Sequence, residues 1–562
     1  MKIPQKTINI ILLSAIAIAV ILRITNLGSR EFWYDEVLSL LLSTGQKSNY
    51  QHPKDVPVIL ANYTNLLTIP LENSLTDSIK TLENFLKGLV AEPHPFLFFL
   101  EQHFWLRLWG NSEAAMRSIV ALFSLGSLGC AYGLGRYLLG SQGGLLFAAL
   151  LGLNPYYLFH SLNVRMYGSL IFWVLLSSWS LLELISFNTS QKDSNSPKLP
   201  KLLWILLLII SATAGFMTFY YFACWFLVLA ALVFYLDKQR WWQYALYLTT
   251  SIIVTIPWLL WGTRQQLRNA DLARFASPNG LLAATLKHLQ EFIDVLGIHL
   301  LIGDWVSILP TFLTTLAGIL VLIVLSWCSW CLYKNQQYRL LIIGLILGIF
   351  PLIIMLTLDV ITGKFTLGFG WGRSVIFVLP GCLLLLVIFL EKAAGKFKNI
   401  SILAMLILYL SISIADFSLR PRWMFHQVAD IINQEPNTPT LIVMNSPAWG
   451  HVLRLAYYLP PTSPISLLAQ KSATLGTNLE ESLKQNPNKY QRIIWLDSAR
   501  PVWGKPSTET EKQQVKIVLG TNYKLEKSKQ LLGTGKLDDF TLNLYQKVTA
   551  HRNKDSLLTT KK

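Results

Sequence analysis

The sequence predicts an all-α polytopic membrane protein of about eleven transmembrane helices, followed by a C-terminal extracytoplasmic α/β domain. Three observations lead there. Hydrophobic residues make up 52% of the 562 residues and charged residues 14%, with a mean hydropathy of +0.43; soluble domains average about 25% charged residues. Apolar runs long enough to cross the hydrocarbon, roughly 20 residues each, recur between residues 7 and 417. Beyond residue 418 the composition becomes that of a soluble domain.

The spans fall near 7–25, 115–137, 142–161, 166–187, 202–220, 221–237, 242–262, 309–332, 339–358, 372–391 and 399–417. Met1 to Ile24 has the look of a signal peptide, with Lys2 and Lys6 ahead of its apolar run. No small-residue cleavage site precedes Asn26, so it reads as a retained first helix. Gly215 and the stretch Phe219 to Phe222 divide 202–237 into two spans. One set of short loops holds Arg136, Lys192, Lys198, Lys201, Lys238, Arg240, Lys334, Arg339, Lys392, Lys396 and Lys398. The opposite set holds Arg165, Lys364 and Arg373. Cytoplasmic loops carry the excess of Lys and Arg, so the N-terminus is expected in the cytoplasm and the C-terminal domain outside.

The net charge of +17 is spread between apolar spans rather than concentrated, which excludes a nucleic-acid binder and fits contact with anionic membrane lipid. All five cysteines sit in apolar segments, and Cys328-Ser-Trp-Cys331 lies at a span end without a second ligand pair, so it reads as packing. The predicted division is a first helix at 1–25, a large external loop at 26–112, the remaining membrane core at 113–418, a small soluble domain at 419–550 and a frayed tail at 551–562. Within the loop, Ser78 to Leu89 has the helical apolar spacing of a surface-lying helix. In the soluble domain, Thr440–Asn445, Arg492–Ser498 and Thr541–Val548 read as strands, and the stretch after the first reads as a helix.

Polar groups at membrane depth are costly, so those present invite a functional reading. Four groups stand out. Asp35-Glu36 follows Phe32-Trp33-Tyr34 ten residues past a span end, where a partly desolvated carboxylate can accept a proton from an alcohol. His94-Pro95 opens an aromatic run to Gly110 that reads as a re-entrant or interfacial helix. Arg165 sits at the junction of two spans, and Arg373 begins another after Gly368. A solvated acid pair, a structural histidine and snorkelling arginines are the plain readings of these residues. Guanidinium geometry also suits a lipid-linked phosphate. No G-x-G-x-x-G or Walker sequence supports a soluble nucleotide donor.

Together these pieces resemble the GT-C polyprenyl-phosphate-sugar glycosyltransferases, in the branch related to protein O-mannosyltransferases and lipid A aminoarabinose transferases. The resemblance rests on Tyr34-Asp35-Glu36, the H-P-x-L-x-F-L-x-x-H-x-W-L-x-L-x-G run from His94, the S-x-x-x-R-M-Y block from Ser161 to Tyr167, and Arg373; it covers roughly residues 8–417. It implies the GT-C fold, with Asp35 as catalytic base and Glu36 supporting it or positioning the acceptor. It implies that His94, Arg165, Tyr167, Tyr220 and Arg373 bind the donor phosphate and lipid. The partners would be a polyprenyl-phosphate sugar, a glycan, lipid or protein hydroxyl acceptor, and membrane lipids of a bacterial plasma membrane. Relatives carry Glu where this chain has Asn163, and His before Tyr-Phe where it has Tyr220-Tyr221-Phe222. Both are potential metal-ligand positions, so no metal and no other cofactor is carried over. A lipid-linked-sugar transporter or flippase, and a non-catalytic envelope-assembly protein, are the alternatives.

Overall fold

The computed structural model describes residues 4–189, 200–270, 275–276, 280–420, 423–533 and 536–548; the predicted tail at 551–562 lies outside them. The chain forms two compact units, one of Met1–Ser29 and Leu82–Leu419, the other of Arg30–Thr81 and Arg420–Lys562. The external loop read as one segment, 26–112, is therefore divided between the two.

Among the described residues nine helical segments are long and apolar enough to cross a membrane, and the last of them has its apolar helix at Lys398–Leu419 in the first unit. Shorter apolar helices at Ser141–Leu153 and Phe222–Leu236 fall at two further predicted spans. The span read at 142–161 is broken. Asn154 ends the Ser141–Leu153 helix, and its side chain accepts the Tyr157 N–H at 2.9 Å to cap a new helix, Pro155–Ser161. The proline at the first helical position has no N–H to lose there. The Phe369–Lys392 segment is the most enclosed of the nine, with 89% of its apolar window buried. It reaches that position through Gly381, where a Cβ would run into the Leu347 backbone. Small residues are what let membrane helices approach this closely.

Arg23, in the last turn of the Gln5–Thr25 helix, is fully buried. Its guanidinium donates to the Ser124 hydroxyl (2.8 Å) and to the Ala19 (2.9 Å) and Gly152 (2.8 Å) carbonyls. A cation at that depth requires such acceptors.

The second unit is built on a six-stranded sheet. Its strands are β1 (Val58–Ile59), β2 (Thr440–Met444), β3 (Ile465–Ala469), β4 (Arg492–Ser498), β5 (Tyr523–Leu532) and β6 (Asp539–Lys547), in the order β1-β3-β2-β4-β6-β5. β3, β2 and β4 are parallel, while β1, β6 and β5 join antiparallel. The three parallel strands are buried along their whole length, as strands covered on both faces must be. β5 keeps only its ends buried and carries Lys524, Lys527 and Lys529 along the open edge, a usual guard against edge-to-edge pairing. The crossover from β2 to β3 runs one way along the sheet and that from β3 to β4 the other. Right-handed crossovers then put the Trp449–Tyr458 helix on one face and Ser472–Gln485 on the opposite face. Leu475, Leu479, Val515 and Leu519 pack on Leu441, Val443, Ile493 and Trp495 to form the core of that second face.

The loop segment Arg30–Thr81 is integral to this unit. β1 pairs with β3, and the Phe32 N–H donates to the Tyr458 hydroxyl at 2.6 Å. Glu31, Arg454 and Asp538 are all nearly inaccessible. Arg454 pairs with Asp538 at 2.5 Å and lies 3.8 Å from Glu31, which also takes the His426 ring at 2.8 Å.

Candidate functional site: a basic and aromatic cluster

The first unit gathers four of the predicted residues. The geometry begins at Asp359, near the end of the Tyr338–Thr362 helix. Its carboxylate accepts the Thr366 N–H (2.8 Å), the Thr366 hydroxyl (2.6 Å) and the Leu367 N–H (2.8 Å). The Gly368 N–H donates to Glu291 at 3.1 Å. These bonds organise the short loop into which Gly370, Trp371 and Gly372 fit, all three with left-handed backbone (φ 56°, 61° and 78°). Glycine accepts that conformation at no steric cost; tryptophan does not. The turn is held by its carbonyls: the Tyr156 hydroxyl donates to that of Trp371 at 2.9 Å, and His299 Nε2 lies 3.0 Å from that of Gly372. Tyr156 and His299 stack on each other with ring centres 4.6 Å apart. Burial pushes the His299 pKa down to about 4, so its ring is neutral, and Nε2 donates to the carbonyl.

The turn aims Arg373, whose guanidinium carbon lies 5.7 Å from the centre of the Tyr167 ring and 5.3 Å from that of Phe369. Tyr167 meets Phe219 at 6.0 Å, and Phe219 stacks on His94 at 5.8 Å. His94 Nε2 lies 3.3 Å from a terminal nitrogen of the buried Arg165. Arginine can only donate, so Nε2 accepts and the imidazole proton sits on Nδ1. His94, Arg165, Tyr167 and Arg373 are thus linked by direct contacts through one ring, Phe219.

Tyr220 does different work. Its hydroxyl contacts Thr263 (2.7 Å) and Gln266 Oε1 (2.5 Å) and accepts from the Trp258 indole at 3.0 Å. Gln266 in turn donates to the Leu89 (2.9 Å) and His94 (2.8 Å) carbonyls. Tyr220 therefore acts on the backbone beneath His94 rather than through its own contact with the cluster.

Asp35 and Glu36 belong to the second unit, in the first turn of the Tyr34–Ser43 helix. Glu36 is fully buried, and its carboxylate reaches back to accept the Trp33 N–H at 2.8 Å, the reciprocal bond of a helix cap. Asp35 is half-buried, with Ser39 donating to its carbonyl at 3.2 Å. Burial, with the Asp35 charge adding to it, pushes the neighbouring Tyr34 hydroxyl well above the usual phenol range.

Sequence reasoning missed Tyr156, Phe219, Gln266, His299 and Asp359. Asp359, a lone acid closing an apolar span, carried a readable signal; the others are ordinary-looking aromatic and polar residues whose importance is positional. Among the described residues no three His, Cys, Asp or Glu side chains gather to hold a metal. Asn163 is buried, and Tyr220 is engaged as above.

Fold and cluster define a polytopic membrane protein with an appended α/β unit and a cationic, aromatic-walled polar site. No family model and no curated protein sequence matches the chain. Among solved structures it is similar to ArnT from Cupriavidus metallidurans in the apo state, at 12% identity over 95% of this chain and 97% of that one, with a TM-score of 0.41. The same protein bound to undecaprenyl phosphate matches at 12% identity over the same shares, with a TM-score of 0.40. The Archaeoglobus fulgidus oligosaccharyltransferase complex with Zn and sulfate matches at 12% identity over 92% of this chain and 71% of that one, with a TM-score of 0.46.

Proposed function

We propose that the protein is an inverting membrane glycosyltransferase that moves a sugar from a polyprenyl-phosphate donor to a hydroxyl acceptor on the extracytoplasmic face of a bacterial plasma membrane. The observation that carries this reading is the single cluster joining His94, Arg165, Tyr167 and Arg373. Two guanidinium groups, Arg373 beside the Tyr167 and Phe369 faces and Arg165 beside the His94 ring nitrogen, suit a phosphate whose polyprenyl tail remains in lipid.

In this reading Arg165 and Arg373 hold the donor phosphate, and His94 orients Arg165. The acceptor oxygen attacks the anomeric carbon and gives its proton to the Asp35 carboxylate. The bond from that carbon to the phosphate oxygen breaks, its electron pair stays on the phosphate, and the arginines stabilise the charge that develops. Attack from the face opposite the leaving group inverts the anomeric centre. Glu36 supports Asp35 by fixing the helix turn that carries it. No step runs through a metal.

The test is to supply the purified protein in lipid nanodiscs with a panel of polyprenyl-phosphate sugars and a mixed acceptor pool. Wild-type transfer, lost in Asp35→Asn and in Arg165→Ala, is the expected result. Undiminished transfer by Asp35→Asn would falsify the mechanism. Counterflow of the labelled sugar-lipid without transfer would favour the transporter instead.

A further inference from the structure

In an open α/β sheet, ligands bind outside the carboxyl ends of the parallel strands, where the chain order switches direction. In the second unit that point lies beside β2, whose neighbours are β3 and β4. The loops there hold groups that the transfer reaction does not use. Asn445, just past β2, donates to Asp497 Oδ1 (2.8 Å), to the Ser498 carbonyl (3.1 Å) and to the Ser507 hydroxyl (2.9 Å), and accepts the Ser498 N–H at 2.6 Å. Ser472, just past β3, donates to the Lys505 carbonyl at 3.0 Å, and Ser507 donates to Ser472 at 3.2 Å. Gln470 reaches the Lys54 carbonyl at 2.6 Å. Three separate stretches, near residues 52–54, 445–449 and 498–507, are thereby bound into one surface.

That surface presents aromatic rings. Trp449 follows β2 and Trp503 follows β4, with ring centres 6.3 Å apart and planes 36° apart. His52 meets Trp503 at 6.2 Å, Tyr50 meets Trp449 at 6.0 Å, and the Lys47 ammonium lies 4.3 Å from the Trp449 ring centre. Trp503 is 60% exposed and has left-handed backbone (φ 61°). A bulky exposed residue in that conformation gains nothing for the core, and backbone strain of this kind collects at ligand sites.

We propose that this carboxyl edge is a saccharide-binding site, with Trp503 and Trp449 as its stacking faces. A pyranose ring has one face of C–H groups and a rim of hydroxyls. The electron-rich face of an indole attracts the first, and hydrogen-bonding groups at the ring edges and in the loops serve the second. The site also bears on Asp35. Gly450 leaves the space that the Tyr34 ring fills, since a Cβ there would lie 2.6 Å from its carbons, and Tyr34 packs edge-on against His451 at 5.2 Å. Trp449 is thus adjacent in sequence to the residue on which the ring beside Asp35 rests. The acceptor of the reaction is therefore a glycan; that assignment rests on the transferase reading, whereas the binding site itself does not.

The test is calorimetric titration of the full chain in lipid nanodiscs, free of glycoside detergent, with mannohexaose, cellohexaose and an acidic oligogalacturonide. At least one of them binds wild type, Trp503→Ala weakens it by about tenfold or more, and Trp503→Tyr recovers most of the loss. The neutral and acidic arms show whether Lys47 recruits charge. Absence of heat with all three, or unchanged binding by Trp503→Ala, overturns the proposal. So does a surface that instead holds phosphatidylglycerol vesicles in a Trp503-dependent way. If binding behaves as stated but no transfer is found, the site stands and the transferase reading falls. Transfer without saccharide binding gives the converse.

Discussion

Two tryptophans, one in each unit, sit in left-handed backbone: Trp371 and Trp503, both at φ 61°. The same strain is held in two ways. Trp371 lies between glycines in a turn whose carbonyls are gripped by Tyr156 and His299 from other segments. Trp503 lies in an exposed loop fixed by the hydroxyls of Ser472 and Ser507 and by the Asn445 amide. The first arrangement aims a charge, Arg373; the second aims a flat ring. The difference follows from surroundings. Near a bilayer a guanidinium must be directed and satisfied, since an unsatisfied one is expensive. In water an aromatic face needs only to be kept from collapsing onto its own domain.

Four changes break or sharpen this comparison. The largest effect is expected from Arg373→Ala, which removes what the first turn aims. Transfer efficiency falls on the order of 10²-fold, as for the loss of a hydrogen-bonded charge contact, read as kcat/KM for the donor, while saccharide binding is unchanged. Loss of both together would mean that the two sites are one.

The second change is pH, which acts on the unit that carries Trp503. Burial, with the nearby Arg454 cation adding to it, holds the His451 pKa down at about 4, against Asp538 at 4.0 Å and a hydrogen bond with the Leu537 backbone. A histidine buried neutral stabilises fully above its ordinary value, about 6.5, and that stability is lost as pH falls from there through about 4. The amount is roughly 3 kcal/mol. Denaturant unfolding of the second unit between pH 7 and about 3.5 measures it, and His451→Gln flattens the profile.

Third, Tyr156→Phe removes one donor to the Trp371 carbonyl, at about 1 kcal/mol. Donor KM rises by roughly tenfold because Arg373 is less well fixed. A change in kcat alone would contradict a positioning role. The smallest effect is on stability in Trp503→Gly, within about 0.5 kcal/mol by thermal unfolding, since relief of strain offsets added chain entropy. A large loss would show that the ring is structural.

Much of the fold was legible beforehand, and for a physical reason. Partition into lipid is a property of local composition, so the apolar runs located the helices even where two of them proved short. β2, β4 and β6 were readable because their buried runs are β-branched and aromatic. β5, written YKLEKSKQLL, was not, because an edge strand facing water carries no apolar alternation. The two-residue β1 has no pattern at all; pairing with β3 makes it a strand. In the site, the residue types of His94, Arg165, Tyr167 and Arg373 announced themselves as polar groups among apolar spans. The residues that position them did not.

The sequence by itself determined where the long apolar helices lie, that an α/β portion follows, and which charged side chains stand at their ends, because each depends on transfer free energies of contiguous residues. Tertiary structure decided the rest. It divided the loop at 26–112 between two units, turned Glu36 into a helix cap and Tyr220 into a support for His94, and brought Trp449 and Trp503 within one surface. Those outcomes depend on groups tens to hundreds of residues apart satisfying each other's hydrogen bonds and packing, which no local reading of composition or periodicity can supply.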